Sequence, residues 1–178
     1  MYEEPLILVT PRSSVPPRSI SVHSSVQSEA ARAATDLGFI AFTERNQPRY
    51  TRYVRARLAH GADVSVAVGA TLAYARENWD WLLGQSSLAA EVWEELRYQV
   101  RCLPGVVSSQ NADVQALYRG LPETSADSVL LCHCLGLPVK EAAELMGLET
   151  SALQAGFAVA CRALPHLVGR EGAHLKHP

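Results

Sequence analysis

Residues 139–153 are VKEAAELMGLETSAL, and this stretch has the residue pattern of a helix-turn-helix motif. Ala143 is small enough to let two helices cross closely, and Gly147 permits the positive φ that a tight turn between them requires. Three leucines would close the small core of the hairpin: Leu145, Leu148 and Leu153. The stretch therefore predicts two short helices that are joined at Gly147.

The sequence around this motif also has a helical pattern. Helices are predicted over four segments, which are 113–119, 124–135, 138–146 and 149–164. Pro122 separates the first two segments, and Gly136 and Pro138 separate the second from the third, because proline and glycine interrupt helices. Residues 103–112, LPGVVSSQNA, are predicted to be a linker because of their Pro, Gly, Ser and Asn content.

The region before this linker predicts a second group of helices. A first helix begins at Ser28 or Glu29, and Pro48 suits the first turn of a new one. The apolar stripe of that new helix is Tyr50, Tyr53, Val54 and Leu58. Asp63 is predicted to cap the next helix, which continues to Gly84. The last helix has apolar residues at helical spacing, namely Ala89, Val92, Trp93, Leu96 and Val100.

No strand pattern competes with these helices, so the predicted fold is all-α, with two small helical domains joined by the linker. The predicted parts are a flexible Ser- and Pro-rich arm at 1–28, a helical bundle at 29–102, the linker at 103–112, a helix-turn-helix domain at 113–166 and a tail at 167–178.

Both predicted domains resemble parts of the sigma-70 family of bacterial RNA polymerase subunits, in its extracytoplasmic-function (ECF) type. Residues 116–131, ALYRGLPETSADSVLL, have the Leu-Pro-Glu entry and aliphatic helix of region 4, ahead of the helix-turn-helix. Residues 42–58, FTERNQPRYTRYVRARL, and 71–80, TLAYARENWD, are similar to region 2. The resemblance covers roughly residues 38–164 in the family's order.

The resemblance implies a transcription regulator in which region 2 binds core RNA polymerase and opens the promoter, while region 4 reads promoter DNA. The residues expected to contact DNA are Arg49, Arg52, Arg55, Thr150, Ser151, Gln154 and Arg162. Residues 1–60 hold eight arginines and five acidic residues, so any basic surface belongs to this first region. The net charge of −2 does not by itself indicate a nucleic-acid partner.

Three helices depart from the family pattern, and one of them carries Glu91, Glu94 and Glu95 where the family presents basic and polar residues to promoter DNA. The acidic and Gln-Glu residues that contact polymerase are replaced by Ser65, Val66, Gly69 and Ala70, and the recognition helix keeps only Arg162 as a cation. The recognition face is otherwise expected to expose small or apolar residues, including Gly156, and such surfaces suit contact with proteins. The predicted partner-binding residues are Asp63, Val66, Ala70, Ala155, Phe157 and Val159.

Three functions therefore stay open at this point. The first is a sigma-like regulator that binds core polymerase and promoter DNA. The second is a pseudo-sigma module that does not direct initiation and binds a sigma factor, an anti-sigma factor or a second copy of itself. The third is a DNA-binding regulator that never touches polymerase.

Other functional classes lack a sequence signal. The histidines are scattered and no Gly-rich phosphate loop is present, so we expect no enzyme, cofactor or small-molecule substrate. No apolar run approaches the length of a membrane span, and a cytoplasmic protein is predicted. Its four cysteines, Cys102, Cys132, Cys134 and Cys161, are expected to be reduced. In the group Cys132-His133-Cys134, buried core thiols are expected rather than a metal site.

Overall fold

A computed structural model of the chain describes residues 22–58, 60–103 and 111–164. The helices in this part are α1 (Val22–Arg57), α2 (Gly61–Glu77), α3 (Trp79–Leu83), α4 (Leu88–Cys102), α5 (Ala112–Gly120), α6 (Glu123–Val129), α7 (Val139–Met146) and α8 (Thr150–Ala163), and a π-helical turn over Leu130–Cys134 follows α6. All regular elements of the described residues are thus helical, which confirms the predicted all-α class.

The chain divides into two compact units, residues 1–36 and residues 37–178. The described part of the first unit is the beginning of α1, and it includes residues 22–28 of the predicted flexible arm, which are helical. The rest of that arm, residues 1–21, and the whole predicted tail, residues 167–178, lie outside the described residues. All the contacts below belong to the second unit.

The predicted helix start at Pro48 is wrong, because α1 continues through this residue. A proline inside a helix removes one backbone hydrogen bond and costs about 3 kcal/mol. Residues on both sides of it nevertheless pack into the same interior: Phe42 lies 5.3 Å from Trp79, and Tyr50 lies 6.3 Å from Trp93, between ring centroids. This shared burial favours one continuous helix over two.

The boundaries of α2 also differ from the prediction. Its N-cap is His60, so Asp63 lies at the third helical position and acts through its charge near the positive end of the helix rather than as the cap. The predicted continuous helix up to Gly84 is interrupted at Asn78, whose side-chain amide donates to the carbonyl of Tyr74. Farther on, Ser87 caps α4 by accepting a hydrogen bond from the Ala90 N–H.

The main hydrophobic core joins residues on both sides of the predicted linker. Trp93 lies against Tyr50 and Tyr53, and the same cluster contains Leu130 and Leu145. A smaller cluster joins α5, α6 and α8 through Leu117, Leu121, Ala126, Val129 and Ala160. The two-domain division stays a prediction, and residues 104–110 of the linker lie outside the described part.

The helix-turn-helix is formed by α7 and α8. Gly147 ends α7 with φ = 64°, which confirms the predicted positive φ at this turn. A Cβ atom at this position would lie 2.2 Å from the backbone nitrogen of Ala90. The turn is therefore seated directly on the first turn of α4, and only glycine fits there.

Candidate partner-binding and DNA-binding surfaces

The predicted DNA contacts of α8 lie on its exposed side. Thr150 and Ser151 begin the helix, and Gln154 and Arg162 follow at helical spacing, all four exposed. Arg162 is the only cationic residue within α8. A helix that binds the DNA backbone normally brings several cations to it. The side chains that were predicted to contact bases are therefore exposed, with one cation beside them on α8.

One residue of the expected recognition face is placed elsewhere. Gly156 is half-buried and faces α6, where a Cβ atom would lie 3.2 Å from the Ser128 hydroxyl and 3.7 Å from the Ser125 Cα. The expectation that Gly156 is exposed was wrong, because this position is the point at which α8 crosses α6. A small residue lets the two helix backbones approach closely there.

An apolar groove of about 490 Å³ runs along the other flank of α8. Its lining comes from the π turn, α7 and α8: Cys132, Val139, Leu153, Gln154, Phe157, Ala158, Cys161 and Arg162. Of the predicted partner-binding residues, Phe157 lies in this lining and also contacts the His133 ring, edge to face at 6.3 Å. Ala155 and Val159 are exposed on α8 beside the groove rather than in its lining.

The π turn shapes one wall of this groove. The Leu135 N–H donates to the carbonyl of Leu130, five residues earlier, and the Leu137 N–H donates to that of Leu131. A π turn holds one more residue than an α turn, so it widens the helix locally, and such turns are frequent at functional sites. Here it carries Cys132 into the lining of the groove.

The predicted partner-binding residues of α2 are separate from this groove. Val66 is 56% exposed, which is unusual for a valine within a helix, whereas Asp63 and Ala70 are half-buried. None of the three is part of the groove lining among the described residues. The structure therefore distributes the predicted partner contacts over two surfaces.

The arginines of α1 that were expected to bind DNA are mostly engaged within the protein. Arg49 forms a 2.9 Å ion pair with Glu141 of α7, and Arg52 donates a 2.6 Å hydrogen bond to the carbonyl of Leu135. Arg45 pairs with Glu144, also of α7. Arg55 is exposed. A DNA contact by Arg49 and Arg52 stays a prediction, and it would require these internal contacts to open.

A buried polar network lies between α1, α4, α5 and α6. The fully buried carboxylate of Asp127 accepts hydrogen bonds from Tyr53 and Tyr118. Two guanidinium groups approach it, Arg57 at 3.7 Å and Arg97 at 3.4 Å. Burial raises the pKa of Asp127 above its ordinary range, although these four neighbours favour its charged form.

Glu123 lies beside this network and shows the opposite electrostatic balance. Burial alone would raise its pKa, but the hydrogen bond and charge of Arg97, with the charges of Arg101 and Arg57, lower the pKa below the ordinary value. Arg97 lies 2.8 Å and Arg101 lies 2.7 Å from the same carboxylate oxygen. Glu123 is therefore held in its charged form.

Sequence reasoning missed this network and the two glutamates of α7. The available signal was Asp127 itself, since Leu130 and Leu131 follow it at the i+3 and i+4 spacing of one helix face. A carboxylate on such an apolar face must be either solvated or paired. The partners come from α1 and α4, so the sequence pattern alone does not name them.

The expectation of buried core thiols at Cys132 and Cys134 was wrong: Cys134 is exposed at the end of the π turn, and Cys132 is half-buried in the groove lining. Of the other two cysteines, Cys102 is exposed and Cys161 is half-buried. Burial raises the pKa of the Cys132 thiol. Within the described part of the chain, no three potential ligands form a metal-binding group, and no helix is long and apolar enough to cross a membrane.

No protein-family model and no curated protein sequence matches the chain. Among solved structures, the chain is similar to CnrH in complex with the cytosolic domain of CnrY, with 21% identity, a TM-score of 0.54, and coverage of 80% of this chain and 96% of that one. A structure of the RsbN-BldN complex is 22% identical over 78% of this chain and 97% of that chain, with a TM-score of 0.36. The chain therefore shares the helical fold of the CnrH structure.

Proposed function

We propose that this chain is a sigma-like transcription regulator that acts by binding a protein partner through the apolar groove along α8. The observation that carries the proposal is the groove, because its walls are mainly apolar and it lies on the helix that would otherwise read DNA. Apolar surface left open to water favours contact with another protein. Fold alone does not imply function, so the proposal depends on these side chains.

The charges of α8 support a protein rather than DNA as the main ligand. Sequence-independent affinity for DNA comes from cations that displace counterions at the phosphates. Arg162 is the one such residue in α8, and the internal pairs of Arg45 and Arg49 leave α1 with less free positive charge. CnrH was solved in complex with the cytosolic domain of CnrY, so protein binding has a precedent on this fold.

The test is purification of the tagged full chain from its own host at low salt, followed by identification of what co-purifies. Two matched variants then locate the contact. Ala158→Arg places a charge inside the groove, whereas Ala152→Arg places the same charge on the exposed surface of the same helix, outside the groove lining. We expect loss of the partner with Ala158→Arg and its retention with Ala152→Arg. Equal binding by both variants would rule out the groove.

A second candidate function is promoter recognition with core RNA polymerase. It is favoured by the exposure of Ser151, Gln154 and Arg162 together on the second helix of the helix-turn-helix. Run-off transcription with core polymerase tests it, with Gln154→Ala as the variant that should weaken promoter selection. If the wild-type chain produces no transcript and brings down no polymerase subunit, the pseudo-sigma alternative stands.

A further inference from the structure

The groove along α8 has the dimensions of a small-molecule site. Its volume of about 490 Å³ lies within the range of about 300–1,000 Å³ that is usual for pockets that bind small ligands. Among the α8 residues of its lining, Gln154 and Arg162 are eight positions apart, which corresponds to about 12 Å along the helix axis. The space therefore suits an elongated ligand of modest size.

The lining between these two residues is apolar. Leu153, which is 1% exposed, lies in the lining with Val139 of α7 and Phe157 of α8. The π turn adds Cys132 and α8 adds Cys161, both half-buried, and a thiol behaves as a small hydrophobic group. The main part of a ligand that fills the groove must therefore be apolar, because its affinity comes from apolar surface removed from water.

The one charge in the lining is positive. Arg162 is exposed, and it forms no ion pair or hydrogen bond with another described residue. No acidic side chain is part of the groove lining in the described part of the chain. A planar guanidinium group binds a carboxylate through two parallel hydrogen bonds. A ligand that uses all of the lining is therefore an apolar chain with an anionic group at one end.

We propose that the groove along α8 is a binding site for an aliphatic carboxylate with one alkyl chain, which packs against Phe157 and Val139 while its carboxylate pairs with Arg162. The inference rests on the proposed function in one respect: the protein partner uses the same groove, so the bound carboxylate excludes that partner. It adds to the proposed function a chemical class of small molecule that controls partner binding.

The first test is titration calorimetry of the purified full chain with straight-chain carboxylates from hexanoate to dodecanoate, below the concentrations at which they form micelles. Each added CH₂ group should tighten binding about fourfold, because each one is removed from water. The gain should stop once the alkyl chain is longer than the groove. Binding that does not saturate, or that is independent of chain length, would overturn the inference.

Two pairs of variants assign the binding to its residues. Arg162→Gln should weaken octanoate binding about fivefold and leave binding of the uncharged octanol unchanged. Arg119→Gln makes the same change at an exposed position of α5 and should affect neither ligand. Ala158→Leu fills part of the groove and should weaken the longest carboxylates most, whereas Ala152→Leu lies outside the lining and should not. Equal effects within either pair would contradict the proposed site.

The cysteines report on the position of the ligand within one experiment. Cys132 and Cys161 are part of the lining, whereas Cys102 is exposed on α4. At ten times its dissociation constant, decanoate should slow alkylation of the first two thiols by N-ethylmaleimide about tenfold, because it leaves only about one groove in eleven empty. Alkylation of Cys102 should keep its rate in mass spectrometry. Equal slowing of all three thiols, or of none, would show that decanoate binds elsewhere.

The failure of this inference is distinguishable from failure of the proposed function. If no carboxylate binds but Ala158→Arg still loses the protein partner, the inference falls and the proposed function stands. If decanoate binds in the groove, adding it to the purified complex should release the partner. A complex that persists in saturating decanoate would overturn the exclusion of the partner by the ligand.

Discussion

The hydroxyl of Tyr53 in α1 donates a 2.7 Å hydrogen bond to the carboxylate of Asp127 in α6, across 74 residues of sequence. Tyr118 of α5 donates to the same oxygen atom, and the guanidinium of Arg57 lies 3.5 Å from the centre of the Tyr118 ring. One buried carboxylate therefore fixes three helices in relation to one another. Since a buried polar group is costly when it loses a partner, this point should be sensitive to small changes.

Tyr53→Phe removes one of the two hydroxyl donors to Asp127 and leaves the ring in place. We expect the free energy of unfolding to fall by about 1–3 kcal/mol, because the buried Asp127 carboxyl loses a hydrogen-bond donor and the Arg57 guanidinium loses an acceptor. Urea unfolding measures this change. Tyr98→Phe, at an exposed position of α4, should alter stability by no more than about 0.5 kcal/mol. Similar losses in the two variants would contradict the assigned role of the Tyr53 hydroxyl.

Gly147→Ala should destabilise the chain for two reasons, the positive φ and the contact with the backbone of Ala90. Gly136 separates these reasons, because it has a similar φ of 67° and no neighbouring atom within 4 Å of the place that a Cβ would take. Gly136→Ala should therefore cost about 1–2 kcal/mol, and Gly147→Ala clearly more. Thermal unfolding compares them. If the two variants lose equal stability, the first turn of α4 moves away from the new Cβ atom without destabilising the protein.

Glu123→Gln should make stability less dependent on pH in the acid range. The pKa of Glu123 is lowered in the folded chain, so its charge adds stability above the ordinary value of 4.5, and this contribution is lost as the pH falls through the lowered value. At pH 7 we expect the variant to lose about 1–3 kcal/mol. The difference from wild type should shrink below pH 4.5 in urea unfolding. A constant difference would exclude this electrostatic cause.

Gly156→Leu should disrupt the crossing of α8 over α6, because even a Cβ atom there would lie 3.2 Å from the Ser128 hydroxyl. Overpacking of this kind costs about 1–3 kcal/mol. Ala155→Leu introduces the same side chain at the neighbouring exposed position and should be close to neutral. Chemical unfolding of the two variants gives the comparison. If Gly156→Leu is as stable as wild type, the close approach of the helices is not required.

The helices of residues 111–164 were predictable because their signals are local. Leu121-Pro122, 136–138 and Gly147 end helices through backbone chemistry that a sequence shows directly. Predicted segments therefore agree with α5, α7 and α8 to within a residue or two, and segment 124–135 corresponds to α6 with the π turn. The exposure of Ser151, Gln154 and Arg162 followed from the same periodicity.

Features that depend on distant partners were not predictable. The sequence pattern predicts a helix start at Pro48, and only the structure shows that Phe42 and Tyr50 pack into one core on either side of it. The arginines of α1 read as a free basic surface until Glu141 and Glu144 are placed against them. Gly156 reads as exposed until α6 is seen beneath it. In each case tertiary packing decides between states that local propensity leaves close in energy.

The π turn at Leu130–Cys134 also has a consequence for the length of the chain. Because a π turn holds one more residue than an α turn, removing one residue here would close it to a regular α turn. The hydrogen bonds from Leu135 to Leu130 and from Leu137 to Leu131 would be lost, and the wall of the groove that contains Cys132 would become narrower. Homologous chains that keep the groove should therefore tolerate substitutions within this segment far better than a one-residue deletion.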